Sequence, residues 1–326
     1  MEDTIAAIST ALGIGAISIV RVSGKEAIEI VNQIFKAKNL TNVPSHTIHY
    51  GKIMDKNKEI DEVLVSVMKA PNTYTSEDIV EINCHGGIAT TNKILELVLE
   101  HGARLARPGE FTERRFLNGK IDLIQAQGVK DLIDATTDEK RALAVNQLNG
   151  KVSSKIEQLR QEILEQIIAN IEVNIDYPEY EDIKKLTNED IFPKLINIKN
   201  KMNHILEESK NGIMIQNGIK TSIIGRPNVG KSSLLNTLLG ENKAIVTDIE
   251  GTTRDIVEGE IIVSGIPFHI IDTAGIRKSD QLVEQIGIQK SFELIEKSEL
   301  VLFVLNNNEE LTEEDQKILE KLKGKN

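Results

Sequence analysis

Eight consecutive residues, Gly225-Arg226-Pro227-Asn228-Val229-Gly230-Lys231-Ser232, carry the spacing of a phosphate-binding loop. Thr221 to Ile224 before them reads as a buried strand, and Ser233 to Leu239 after them as the start of a helix. The chemistry requires that context. Glycines let the backbone bend so that its N–H groups converge on a β-phosphate. The new helix offers its positive end, and Lys231 adds a full charge across the β- and γ-phosphates. The Ser232 hydroxyl suits Mg²⁺, a hard cation that keeps most of its waters. Asp272-Thr273-Ala274-Gly275 ends the β-branched run His269 to Ile271, so Asp272 is expected at the carboxyl end of a strand beside the loop. There it can hold a Mg²⁺-bound water while the Gly275 N–H meets a γ-phosphate. Gly251-Thr252-Thr253-Arg254-Asp255 offers Thr253 as a second hydroxyl for Mg²⁺, on a segment that orders when a γ-phosphate is present. Taken singly, each segment also reads as an ordinary turn; in this order they describe a nucleoside triphosphate site.

The elements that must hold such a site fall into three textures. Up to residue 120, short β-branched runs (Gly15 to Val22, His46 to Ile53, Glu62 to Lys69, Asp78 to Asn83) alternate with helical spacing at Lys25 to Val31 and Thr91 to Glu100. That reads as a mixed α+β domain over 1–120. From Asp122 to Leu148 a helix is expected with almost no interruption until Asn149-Gly150. Val152, Ile156, Leu159, Ile163, Ile167 and Ile171 mark one stripe on a second long helix. A third, with Ile191, Leu195, Ile198, Met202 and Leu206 on one face, is expected to end near Gly212, giving a helical domain over 121–212. Strands and helices then alternate over 213–326, with a hairpin turning at Ser264-Gly265, a strand from Leu300 to Leu305 and a helix from Glu313 to Leu322. The fold class is multidomain α/β and α+β.

Composition narrows the partners. The 326 residues carry 50 acidic and 39 basic side chains, a net charge of −11, so nucleic acid must be met by a local patch. The most basic stretch sets Arg104, Arg107, Arg114, Arg115 and Lys120 against Glu110 and Glu113; it reads either as an RNA- or folate-facing patch or as a salt-bridged surface. With 7 Phe, 4 Tyr and no Trp, an aromatic platform for single strands is disfavoured. One cysteine, Cys84, excludes an intramolecular disulfide and a cysteine-rich zinc site, which fits a reducing cytoplasm. The uncharged run Thr4 to Val20 follows Glu2 and Asp3 and is broken by Gly13 and Gly15, so neither a signal peptide nor a membrane span is expected.

The three nucleotide segments resemble the translation-factor-like GTPases, in particular their assembly and RNA-processing branch. Further motifs are closer still to one family: Asp3-Thr4-Ile5-Ala6-Ala7, Ile19 to Gly24, Tyr74 to Asp78 through His85-Gly86-Gly87, and Ala106 to Thr112 through Phe116 to Leu123. Together they resemble the MnmE (TrmE) family of tRNA-modifying GTPases. The resemblance implies a tetrahydrofolate-binding, homodimerising N-terminal domain and a helical domain into which a GTPase domain is inserted. It implies a flavoprotein partner, MnmG (GidA), with which a 5-carboxymethylaminomethyl group is formed on wobble uridine (U34) of certain tRNAs. It further implies GTP contacts from Asn228, Val229, Gly230, Lys231, Ser232 and Ser233, from Thr247, Asp248, Ile249, Glu250, Gly251, Thr252 and Thr253, and from Asp272, Thr273, Ala274 and Gly275. Mg²⁺ falls to Ser232 and Thr253. K⁺ falls to Asn228, Thr247, Thr252 and the Ile249 carbonyl, where it would offset charge developing between the β- and γ-phosphates. Lys231, Asp272 and Glu284 take the catalytic roles, Glu284 positioning the attacking water. Arg21, Glu81 and Lys120 match the folate contacts, a 5-formyl- or 5,10-methylene-tetrahydrofolate being the cofactor; read without the family they are a strand-end cation and two surface charges.

The family reads guanine through a later Asn-Lys-x-Asp segment and ends in a Cys-containing tail; neither motif occurs here, so the G domain is expected to stop before its base-reading loop. Two rival readings stay open at this stage: a ribosome-assembly GTPase using the same nucleotide site, and a folate-binding dimerisation fragment with a defective G domain.

Overall fold

Val63, Val65 and Val67 of strand β5 (Lys58–Met68) are buried while Leu64 between them is exposed. A two-residue period of this kind builds a sheet with one covered and one open face. The computed structural model describes residues 3–177, 187–226, 229–241, 257–271 and 292–323, in two units, Met1–Val129 and Lys130–Asn326.

The first unit holds β1 (Ile5–Ile8), β2 (Ile17–Ser23), β3 (Phe35–Lys36), β4 (Thr47–Asp55), β5, β6 (Ile79–His85) and β7 (Arg104–Leu105) in a seven-stranded sheet of order β3-β4-β5-β6-β2-β1-β7. Pairing is antiparallel except between β1 and β7. Helices α1 (Ala27–Ile34) and α2 (Ile88–Glu100) cover one face. They bury Ile30, Val31 and Ile34, and Thr91, Ile94, Leu97 and Val98, each set on one helical stripe. The apolar members of both sets join Val20, Val22, Ile53 and Ile82 in one core. Helix α3 (Glu110–Leu117) follows β7.

Packing is close enough at β4 to exclude a methyl group. A Cβ on Gly51 would lie 2.5 Å from the Phe35 ring and 2.7 Å from Ala37 Cβ. Gly51→Ala is therefore expected to destabilise this unit by about 1–3 kcal/mol, read by urea denaturation.

Helix α4 (Leu123–Ile133) precedes the second unit's helices, and there the structure corrects three expectations. The continuous helix expected from Asp122 to Leu148 is two helices. Thr137 caps α5 (Asp138–Leu148), its hydroxyl accepting the Lys140 N–H at 3.2 Å, with Asp138 and Glu139 in the first turn. The apolar period runs straight across this cap and hides it. The stripe from Val152 to Ile171 is likewise not one regular helix: α6 (Lys151–Ile163) passes through a π-turn, Leu164–Ile168, into α7 (Ala169–Asp176). A π-turn releases carbonyls from the i−4 ladder. Here Asn170 Nδ2 donates to Glu165 O and Gln166 O, both at 3.1 Å. Finally, α8 (Asn188–Asn217) runs through Gly212, from a capping box of Thr187 and Asp190 to Gly218. A single helix glycine costs about 1 kcal/mol, too little to stop a helix of 30 residues.

Strands β8 (Ile219–Ile224), β9 (Val257–Val263), β10 (Ile266–Ile271) and β11 (Leu300–Phe303) form a second sheet of order β11-β8-β10-β9. Strand β8 is parallel to both neighbours, and β9–β10 is the expected hairpin, with Ser264 and Gly265 at φ 50° and 80°. Successive residues of β8 point to opposite faces. On one side Ile223 packs with Leu235 of α9 (Lys231–Glu241); on the other Ile224 packs with Ile318 of α10 (Glu313–Leu322) and Ile295. Helices thus cover both faces of a largely parallel sheet. Among the described residues no helix is long and apolar enough to cross a membrane.

Candidate functional site

Strand β8 is the inner strand whose carboxyl end opens into the phosphate loop, and Thr221, Ser222, Ile223 and Ile224 are all buried. Its rigidity sets where the loop begins. At Gly225 (φ 146°) the chain turns against β11: a Cβ there would strike the Val304 carbonyl oxygen and lie 3.2 Å from Val229 Cγ2. No residue with a side chain fits. Gly230 (φ 100°) then leads into α9, whose opening bond runs from the Leu234 N–H to Gly230 O at 2.9 Å. The first-turn N–H groups of a helix have no partner within it, which makes this end an anion acceptor.

Lys231 opens α9, and its ammonium folds back into the loop. Nζ donates to Gly225 O at 2.8 Å and to Arg226 O at 2.6 Å. Burial lowers the pKa of this amine from its ordinary value. Val229, Gly230, Lys231, Ser232 and Ser233 thus gather at one helix end, with the Ser232 side chain on the exposed side. A positive centre, a helix N-terminus and a nearby hydroxyl are the parts a phosphate chain with its Mg²⁺ needs.

A separate constellation lies on the open face of the first unit's sheet. Arg21 and Glu81 are register partners on β2 and β6, and Arg21 Nε and Nη2 both reach Glu81 Oε1 at 2.7 Å. The guanidinium lies 5.7 Å from the Tyr74 ring centre and 5.6 Å from that of Phe111. Arg115 stacks on Tyr74 at 4.9 Å and donates to its carbonyl at 2.9 Å. Arg115 belongs to the basic stretch read as a possible folate-facing patch, whereas Tyr74 and Phe111 were not singled out in the sequence; the signal was an aromatic residue inside each of two motif stretches. Lys120 follows α3, exposed, its N–H on Arg115 O at 3.1 Å, and among the described residues it forms no ion pair with Glu81.

Comparison with known proteins matches this chain to two family models, GTP-binding protein TrmE N-terminus over residues 4–120 and MnmE helical domain over residues 123–325. It is 58% identical over 325 residues to the tRNA modification GTPase MnmE of Bacillus cytotoxicus, an alignment spanning 99% of this chain and 71% of that protein. The MnmE proteins of Bacillus thuringiensis and Bacillus anthracis are 57% identical over the same spans. The chain belongs to the MnmE family of tRNA modification GTPases.

Of the residues expected to serve an MnmE-type nucleotide site, Asn228, Thr247, Asp248, Ile249, Glu250, Gly251, Thr252, Thr253, Asp272, Thr273, Ala274, Gly275 and Glu284 lie outside the described residues. Within the TrmE N-terminal region three cations of the basic stretch are salt-bridged, while Arg115 stacks on Tyr74 and Lys120 is exposed. Arg104 pairs with Asp3 and Glu110, Arg107 with Glu113, and Arg114 is buried among Asp3, Glu77 and Glu110. Cys84 is buried with its thiol pKa raised by that burial, and the His85 ring is held by Asp61 at 2.7 Å. No cluster of three or more His, Cys, Asp or Glu side chains suited to a metal occurs among the described residues.

Proposed function

We propose that this chain hydrolyses GTP in the cytoplasm and, with the flavoprotein MnmG (GidA), uses that turnover to form the 5-carboxymethylaminomethyl group on U34 of tRNA. The observation that carries the reading is the phosphate loop at the carboxyl end of β8, with Lys231 held inside it, in a chain 58% identical to a tRNA modification GTPase. Residues 1–120 supply folate binding and dimerisation, 121–212 the helical domain and 213–326 the nucleotide site. Lys231 exchanges its two carbonyls for β- and γ-phosphate oxygens, and the α9 N-terminus accepts the remaining charge. Ser232 and Thr253 would hold Mg²⁺, and a hydroxyl at the first turn of α9 is chemically suited to that ion. Asp272 would orient a metal water and Glu284 the attacking one. Asn228, Thr247, Ile249 and Thr252 would hold K⁺, which supplies charge neutralisation between the transferred and leaving phosphates.

Turnover of GTP by this chain with Mg²⁺, measured in KCl and in NaCl, tests the reading. Hydrolysis is expected in KCl and is expected to fall on the order of tenfold or more in NaCl. No hydrolysis in either salt overturns the reading, and equal rates remove the K⁺ site.

Arg21 and Glu81 offer a tetrahydrofolate derivative a cation for its carboxylates and an acceptor for pterin N–H groups, with Lys120 as a second cation. The same open sheet face supports homodimerisation. Ile17, Ile48, Tyr50 and Leu64 expose 65%, 66%, 65% and 47% of their surface, and Tyr50 and Leu64 are register partners on β4 and β5. An apolar sheet face of this kind marks an interaction surface. Leu64→Asp is expected to convert a dimer to a monomer in light scattering without lowering the melting temperature of the isolated protomer, since the side chain lies outside the core.

A further inference from the structure

Arg226 is the second residue of the phosphate loop, a position at which the loop pattern specifies no side chain. That side chain is nevertheless only 19% exposed, and it is spent on two carboxylates: Nε lies 3.0 Å from Asp315 Oδ2 and Nη2 lies 3.1 Å from Glu309 Oε2. Asp315 is fully buried in the first turn of α10, where its Oδ2 also accepts the Thr312 N–H at 3.0 Å and hydroxyl at 2.9 Å. Glu309 is steadied by Asn306 Nδ2 at 2.7 Å. From the other side, the carbonyl of Arg226 receives Lys231 Nζ at 2.6 Å. One residue therefore joins the loop's lysine to the connection between β11 and α10. Val304 closes the same wall, its N–H on Ile224 O at 2.9 Å.

We propose that Arg226 is a positioning residue of the nucleotide site: its ion pairs with Asp315 and Glu309 brace the phosphate loop against the start of α10, so that the loop keeps its shape when Lys231 turns to phosphate. The inference rests on the GTPase reading above. Asp315 Oδ1 and Arg226 Nε each lack a hydrogen-bond partner, so the two side chains meet as a close ion pair, and Arg226 is the cation paired with this buried carboxylate among the described residues. Without it the buried carboxylate would lose its counter-charge, and with it the attraction that holds the loop to the α10 terminus. The disturbance falls on the loop's outer wall and not on the reacting phosphates. It therefore weakens nucleotide capture more than the turnover of captured nucleotide.

Binding of a fluorescent GDP analogue to the full chain in K⁺ and Mg²⁺, with turnover at saturating GTP and thermal melts alongside, tests this. Arg226→Ala is expected to weaken affinity about tenfold or more while changing saturated turnover less than about threefold. Arg226→Lys, which keeps the charge and loses the fork, is expected to recover part of that loss. Glu309→Gln, on an exposed side chain, is expected to weaken affinity about two- to threefold alone and not at all in the Arg226→Ala background, the mark of a shared interaction. Arg226→Ala within about twofold of the parent affinity overturns the proposal, as do losses fully additive with Glu309→Gln or confined to turnover. A parent chain that binds no guanine nucleotide overturns the GTPase reading itself, and this inference falls with it.

Discussion

Arg114→Ala is expected to destabilise the N-terminal unit by about 3–5 kcal/mol, read as a lower urea midpoint, the range for removing one partner of a buried ion pair. Arg114 is 1% exposed, and its Nη1 donates to Asp3 O at 2.8 Å and to both Glu77 oxygens at 3.1 Å. Its Nη2 donates to Asp3 Oδ1 at 2.9 Å and Glu110 Oε1 at 3.4 Å. The substitution strands Glu77 and the Asp3 carbonyl, whereas Glu110 keeps Arg104 at 2.6 Å and the Arg107 N–H at 2.7 Å. Arg114→Met refills most of the volume and leaves the Glu77 carboxylate without its cation, so it is expected to recover little. Recovery close to the parent stability would show that packing, and not charge, is what Arg114 supplies.

The same cluster sets an acid limit. Arg104, burial notwithstanding, holds the Glu110 carboxyl down at about 2. A depressed folded-state pKa gives stability that is fully present above the unfolded value near 4.5 and is lost as pH falls towards about 2. Glu110→Gln is expected to flatten stability against pH across that window and to lower it above the window. An unchanged slope would assign the acid transition to other carboxylates.

Lys231→Ala is expected to lower GTP turnover on the order of 100-fold or more, because a preorganised charge aimed at the reacting phosphates is among the largest single catalytic contributions. It also removes two bonds to Gly225 O and Arg226 O. Their loss is worth about 1 kcal/mol each, so thermal melts separate the two effects. Turnover that survives in a folded variant would remove Lys231 from the chemistry.

The local features of this chain were legible in its residues. The phosphate loop is contiguous, and the hairpin at Ser264-Gly265 and the helix from Glu313 to Leu322 depend on turn and cap chemistry within a few positions. The helix boundaries that failed, at Thr137 and Gly212, are places where a weak local signal competed with a strong apolar period. At Thr137 the cap hydrogen bond prevailed, and at Gly212 the cost of one glycine was too small to end the helix.

What sequence alone determined is thus the loop, its lysine, the α/β texture around it and the family motifs, because each is written in neighbouring residues. Only the tertiary structure decided that Arg21 meets Glu81, that Arg114 is enclosed by Asp3, Glu77 and Glu110, and that Arg226 reaches Asp315. Those pairs are joined by strand register and helix docking. A charge whose partner lies on another element carries no sign of that partner in its own neighbourhood, and so Arg104 and Arg114 of the basic stretch proved to be bound to Asp3 and Glu77, far from them in the chain.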